Sequence, residues 1–450
     1  MKKLIQSVVA LLAMTLFAGL LATSYPQAAA PASQLTATTQ PQLWVLSDTH
    51  FIAPSLHDEK KAYQLIKGSD AGKDMDYQPV AINALVQTAL KKRPTAVIIT
   101  GDVTFNGAKA SAESLAKRLA PLEKAGIHVL VIPGNHDIYD GWARAYKGDE
   151  QQVVDQISPS DWKNIWSGSY QAASSVDSQS LSYTVTLNRN YELIMLDSNI
   201  YTVQPATRPP STGGMLKPET LTWLTAQLKA ARKNGRTPLV FMHHNLYAHS
   251  AVVSTGYVLS NADTLQKLLT KYKVQVLFSG HIHAQDIEND PAGKCLTTEI
   301  VDGAFSISPA GYGIVDLTPT TLHYQRQALD ISPYLTAKQK KNPDLRDYPA
   351  YLKKLFMRNG QALAINTMMD GSDTFSDKEV TIGADFIGEL NWRYFTGQDD
   401  PTAKELATLK ASKGYQIVKR SPSLMRYVNS ILQDKNLNDQ TLTIHFNTNK

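Results

Sequence analysis

Residues Leu43–Pro54 read LWVLSDTHFIAP. Four apolar residues, Leu43-Trp44-Val45-Leu46, stop abruptly at Ser47-Asp48-Thr49-His50. The run has the length of a buried strand and is too short for an independent helix. On extended chain, side chains at i and i+2 point to the same side, so Asp48 and His50 are expected to aim at one point beyond the strand. Taken alone, the pair equally fits an ordinary strand-to-loop turn with a surface acid and a surface histidine.

Four further runs end the same way. Thr95–Thr100 (TAVIIT) leads into Gly101-Asp102-Val103-Thr104-Phe105-Asn106-Gly107, and His128–Pro133 (HVLVIP) into Gly134-Asn135-His136-Asp137. Pro238–Met242 (PLVFM) leads into His243-His244-Asn245, and Val274–Ser279 (VQVLFS) into Gly280-His281-Ile282-His283. Runs so uniformly apolar are expected of strands covered on both faces. Helical spacing falls between them, at Val80–Lys92, Ala110–Ala125, Pro218–Asn234 and Asn261–Tyr272. Gly126 is a candidate C-cap, and Asn261 or Asp263 a candidate N-cap. Strand–helix alternation predicts an α/β architecture. Tyr191–Ser198 reads as one more strand. After His283 the runs CLTTEIV, FSISP, YGIVDL and LHYQRQAL follow without intervening helices, which predicts a second, more antiparallel sheet. Two sheets face to face with helices outside make a four-layer αββα sandwich. The polar stretch Asp330–Asp344 marks a boundary, and the chain beyond it reads as a mostly helical accessory domain, residues 331–450.

The chain has 450 residues, 43% of them apolar and 19% charged, which is ample for a large core. A net charge of +5, part of it from Lys2 and Lys3, is too small a surplus for a nucleic-acid polymer partner. Met1-Lys2-Lys3, the uncharged Leu4–Ala22 and the small-residue exit Ala30-Pro31-Ala32 form a leader pattern, with cleavage expected before Ser33. The expected divisions are therefore a signal peptide at 1–32, a catalytic domain at 33–330 and the helical domain at 331–450. Export to the extracellular space, cell surface or periplasm follows, with no membrane span once the leader is removed. An uncleaved anchor is the alternative. Cys295 is the single cysteine, so no internal disulfide forms.

Six of the eleven histidines, His50, His136, His243, His244, His281 and His283, fall in the strand-end clusters. In open α/β sheets that edge is where ligands bind. Aspartate, asparagine and imidazole without thiolate suit Mn²⁺, Fe²⁺ or Zn²⁺. Asp48, His50, Asp102, Asn135, His243, His281 and His283 are too many ligands for one ion with open positions. If one carboxylate bridges, two ions receive four protein ligands each, the pair that phosphate-ester hydrolases use as a clamp.

This ordered set resembles the calcineurin-like metallophosphoesterase superfamily over Leu43 to about Leu317. Its motifs stand here as Asp48-x-His50, Gly101-Asp102-(x)4-Gly107, Gly134-Asn135-His136-Asp137, His243 and Gly280-His281-x-His283. The resemblance implies Asp48, His50, Asp102 and His283 on one ion, and Asp102, Asn135, His243 and His281 on the other. It also implies a bridging hydroxide as nucleophile, His136 as the catalytic proton donor to the leaving oxygen, and Asp137 as support for the loop. Phe105 stands where purple acid phosphatases place a tyrosine ligand. The strand-rich stretch after His283, the leader and the helical tail resemble secreted bacterial cyclic-nucleotide phosphodiesterases. A small phosphodiester, such as a nucleotide, is the expected substrate; a phosphomonoesterase or nucleotidase, and a non-catalytic binding protein, are the alternatives. His244, Asn245 and His249 stay open between substrate contact and structural duty.

Overall fold

Alternating side chains along Leu43–Leu46 divide the interior in two. Leu43 and Val45 join Ile98, Leu130, Tyr183, Leu193, Phe241 and Phe278 in one buried cluster. Trp44 and Leu46 join Val97, Ile99, Leu85, Leu115 and Leu119 in another. The first fills the space between two sheets. The second lies under the helices Gln78–Lys92 and Lys109–Lys124. A third, with Val240, Met242 and Leu277, lies under Pro218–Lys233 and Ala262–Lys271. These layers, seen in the computed structural model of residues 34–370, 374–432 and 437–446, form the αββα sandwich. The leader expected over 1–32 lies outside the described residues.

In the first sheet Gln42–Leu46, Ala96–Thr100 and His128–Ile132 run parallel, and Gly311–Leu317, Thr321–Ala328 and Thr441–His445 extend it antiparallel. In the second, Tyr191–Met195, Thr237–Phe241, Val276–Ser279 and Thr298–Val301 run parallel. Asp286–Glu288 flanks them on one edge, Tyr183–Thr186 and Ser175–Val176 on the other. The parallel strands deliver their C-terminal ends, with all five polar clusters, to one edge of the sandwich.

The expectation of a separate antiparallel sheet after His283 is corrected. Its strands complete both existing sheets, and Thr298–Val301 is parallel to Val276–Ser279. The FSISP run, Phe305–Pro309, is a turn: Phe305 and Ser306 donate backbone hydrogen bonds to Ser47 and Asp48 rather than to a strand. Asn261 stands at the N-cap position but does not cap with its side chain. Its amide instead makes two bonds to the Leu216 backbone, at 3.1 and 2.8 Å.

Past residue 330 the chain is largely helical. Tyr348–Asp370 lies against Asp377–Phe395. The crossing is close because Gly360 meets the Cα of Gly388, where a Cβ would stand 3.1 Å away. Ser376 with Glu379, and Thr402 with Glu405, form capping boxes that start two of these helices. The helices bury Ile282, Ala284 and Val301 together with Ile387 and Val428, so they pack directly behind the His281–His283 turn. The strand Thr441–His445 was not anticipated; it carries the chain back to the sandwich beside Thr321–Ala328. Among the described residues no helix is long and apolar enough to cross a membrane.

Candidate metal centre

The side chains converge because the backbone turns, not because a strand runs straight. Asp48, His50, Asp102, His281 and His283 all sit in left-handed conformation, at φ 54°, 40°, 45°, 70° and 65°. Only a few per cent of non-glycine residues do so. The extended-chain argument for Asp48 and His50 is thus corrected: both lie past the strand end, each on a reversed backbone. Such conformations cost on the order of 1–3 kcal/mol each and persist where the surroundings over-determine them. Here backbone donors from Asp48 to Gly101, His50 to Asp102 and Gly280 to His243 lock the turns to one another. The glycines serve chiefly by absence of a side chain. A Cβ on Gly280 would overlap Ser47 Oγ, and one on Gly134 would overlap Asp102. Gly101 alone of these three also needs its φ of 103°.

Two groups of ligand atoms result. Asp48, His50, Asp102 and His283 offer atoms mutually within 4.8 Å, and so do Asp102, His243 and His281. In the first group, the His283 and His50 Nε2 atoms lie 3.3 and 3.7 Å from Asp48 Oδ1 and 3.0 Å from each other. Asp48 Oδ1 is buried and accepts no hydrogen bond. In the second group, His243 Nε2 lies 3.5 Å from Asp102 Oδ2 and 3.2 Å from Asn135 Oδ1. Asp102 Oδ2 also stands 3.8 Å from His50 Nε2, between the groups. Its other oxygen accepts the His136 amide at 2.8 Å.

The second nitrogen of the inner histidines is committed to backbone. His243 Nδ1 donates to the Thr100 carbonyl at 2.9 Å, leaving Nε2 with its lone pair towards the cluster. His281 Nε2 donates to the carbonyls of Thr212 at 2.9 Å and Gly256 at 3.2 Å, leaving Nδ1. Such donation to carbonyls fixes the tautomer of metal-binding imidazoles. An orphaned buried carboxylate oxygen and imidazoles with their lone pairs turned inward fit divalent cations.

Charges follow the same crowding. Burial pushes the Asp102 carboxyl up, but His243 and His136 outweigh it and hold it well below the usual range. Burial and the neighbouring His243 push His281 down to about 3. Burial, with the charge on Asp102, raises Asp137 to about 7. Asp137 accepts the amides of Val103, Thr104 and Gly134 and the Thr104 hydroxyl, so it ties the two loops carrying Asp102 and Asn135 together.

His136 stands beside these groups, its ring 5.6 Å from that of His50. Its Nδ1 faces Asp140 Oδ2 at 3.2 Å, and Asp140 is fully buried. Sequence reasoning missed Asp140; an acid four residues after His136, on the same turn, was the available signal. It missed Lys73 as well. The ammonium of this half-buried lysine makes one hydrogen bond, to the Asp70 carbonyl at 3.3 Å, and among the described residues has no carboxylate in ion-pair range. Its charge acts on His50 and His136 and is felt by Asp48 and Asp102, which places Lys73 at the rim of the ligand groups. No motif announces it.

The three residues left open all make buried contacts within the protein, and His249 forms with Asp286 and Glu288 a further buried group of potential ligand atoms. Ser198 donates to His244 Nδ1 at 2.8 Å, and His244 Nε2 donates to Thr212. Asn245 donates to Ser279 Oγ and to the Gly280 carbonyl. His249 lies buried between Asp286 at 2.7 Å and Glu299 at 2.9 Å. Glu299 also takes the amides of Leu246 and Tyr247 and the Ser279 hydroxyl, bracing the loop after His243 against the strand that leads to His281. Phe105 packs against the outer core.

The sequence profile of the calcineurin-like phosphoesterases matches residues 41–285. The chain belongs to the calcineurin-like phosphoesterase family. It is a hydrolase of phosphoesters, with residues suited to divalent metal ions. A second profile, the C-terminal domain of cyclic nucleotide phosphodiesterase, matches residues 330–438 of this phosphoesterase. A probable cyclic nucleotide phosphodiesterase from Vesicomyosocius okutanii is 27% identical over 230 residues, covering 49% of the chain and 78% of the relative. The 3',5'-cyclic adenosine monophosphate phosphodiesterase CpdA of Vibrio vulnificus is 26% identical over 188 residues, covering 42% of the chain and 54% of the relative. Among solved structures, a dimetal phosphatase from Danio rerio aligns with a TM-score of 0.47 at 14% identity, covering 64% of the chain and 96% of that structure.

Proposed function

We propose that this phosphoesterase hydrolyses phosphodiesters at a centre of two divalent ions, Mn, Fe or Zn, with 3',5'-cyclic nucleotides as the substrate class. One observation carries the two-ion reading: Asp102 Oδ2 stands between two separate ligand groups, 3.8 Å from His50 Nε2 and 3.5 Å from His243 Nε2. Asp48, His50, Asp102 and His283 would hold one ion, and Asp102, Asn135, His243 and His281 the other. Bound ions would supply Lewis acidity and lower the pKa of a bound water towards neutrality.

The chain's own residues supply the rest. His136, with Nδ1 held by Asp140, presents Nε2 to give a proton to the departing oxygen. Lys73 brings a further positive charge to the rim, where it offsets phosphate charge. Cyclic nucleotides are favoured by the match of the C-terminal profile and the names of the two relatives. The leader-like residues 1–32 support export, and N-terminal sequencing of protein recovered from cell fractions tests cleavage before Ser33.

The deciding assay strips the protein, reloads it with Mn²⁺ and compares an aryl phosphodiester with its monoester, using Asp102→Asn as blank. Diester preference, followed by turnover of cyclic AMP, is expected. Monoester preference would move the reading to a phosphatase or nucleotidase. Binding of two ions with no turnover of any phosphoester would overturn the diesterase reading.

A further inference from the structure

We infer that Trp142 is a stacking platform for a flat aromatic group of the substrate, a nucleobase attached to the departing side of the phosphorus. The inference rests on the proposed phosphodiesterase reading and specifies which part of the substrate is recognised.

Trp142 is 50% exposed, whereas the other five tryptophans are buried or half-buried. A single exposed aromatic is ordinary, but this one is held in place. Asp140 directs one oxygen to His136 Nδ1, and its other oxygen accepts the Trp142 amide at 2.7 Å. One buried carboxylate therefore holds the His136 ring and fixes the backbone that carries Trp142. The two rings lie 25° from parallel with centroids 6.1 Å apart. The turn that carries them is strained and confined. Tyr139 is left-handed at φ 48°, and a Cβ on Gly141 would run into the backbone of Arg208. A non-glycine residue kept in that region signals a position the fold does not leave to chance.

Chemistry sets the direction. If His136 protonates the departing oxygen, the departing group lies on the His136 side of the phosphorus, where Trp142 stands. In a cyclic nucleotide that oxygen belongs to the ribose that carries the base. Stacking of a base on an aromatic side chain changes affinity by roughly tenfold to a hundredfold and tolerates any base, because every base has a π face.

Equilibrium binding tests this without turnover. Calorimetry of the Mn²⁺-loaded protein would compare AMP, ribose 5-phosphate and inorganic phosphate on the unchanged protein, Trp142→Leu and Trp142→Phe, with metal content measured for each. The expected result is AMP at least about tenfold tighter than ribose 5-phosphate. That advantage should vanish in Trp142→Leu and largely survive in Trp142→Phe, with ribose 5-phosphate and phosphate unaffected. If Trp142→Leu keeps the advantage, or weakens all three ligands equally, Trp142 is not a base platform. If inorganic phosphate fails to bind the unchanged protein, the metal-centre reading itself falls and the platform falls with it.

Discussion

His136 has one ring nitrogen held by the Asp140 carboxylate, whereas His243 and His281 are held by backbone carbonyls. His136→Ala should lower turnover roughly 10²–10⁴-fold, the usual worth of a positioned proton donor, with metal content unchanged by elemental analysis. Asp140→Asn should cost less and also keep the metals; full activity in either variant would remove the dyad from the mechanism. Asp102→Asn should instead lose ions from both groups, because its Oδ2 faces both, and metal stoichiometry read alongside turnover distinguishes the two kinds of defect. The candidate ligands were legible because each follows directly on an apolar run. Asp140 and Lys73 were not, since one serves through His136 and the other reaches the rim from a loop with no periodic signal. The left-handed backbone at Asp48, His50, Asp102, His281 and His283 was equally hidden, because aspartate and histidine do not advertise a positive φ as glycine does.

The turns and braces around the site are where small changes become large ones. Gly280→Ala would drive a Cβ into Ser47 Oγ, with Asp48 Oδ2 only 2.6 Å away. Overpacking of this kind costs about 1–3 kcal/mol. Denaturant unfolding should show that loss, and metal titration should show weakened binding at the Asp48 group. Glu299→Gln removes one of the carboxylates that hold His249. Burial opposes the charge on that imidazole, but Glu299 and Asp286 outweigh it and raise its pKa well above the ordinary 6.5. A raised histidine stabilises fully below its unfolded pKa and loses that contribution as pH rises through the folded value. In Glu299→Gln the loss should therefore set in at lower pH, on top of about 3–5 kcal/mol for breaking a buried pair. Urea unfolding across pH 6–9 for both proteins checks it; superimposable profiles would defeat the assignment. The parallel strands and their helices could be read from periodicity alone. Three of the four runs after His283 could be seen as strands but not placed, because alternation identifies a strand and says nothing about which sheet accepts it.

Across the whole molecule, the helical segment and the sandwich share one interior behind the His281–His283 turn. A chain ended at Asp330 would expose Ile282, Ala284 and Val301 and uncover the edge of Thr321–Ala328. Unpaired edges of this kind invite association, so low soluble yield and aggregates in size-exclusion chromatography are expected, with metal binding impaired in any soluble fraction. A soluble, non-aggregating product with undiminished metal content would show that the helices are dispensable. The sequence reading placed these helices correctly and missed that the chain returns from them, because five residues, TLTIH, in a polar neighbourhood carry too little signal to outweigh the helical pattern before them.

That return strand has a consequence for biosynthesis. Translation delivers Thr321–Ala328 well before Thr441–His445, and the entire helical segment is made in between. For that interval Thr321–Ala328 lacks its partner strand, and the sheet edge stays open to mispairing until synthesis reaches Thr441.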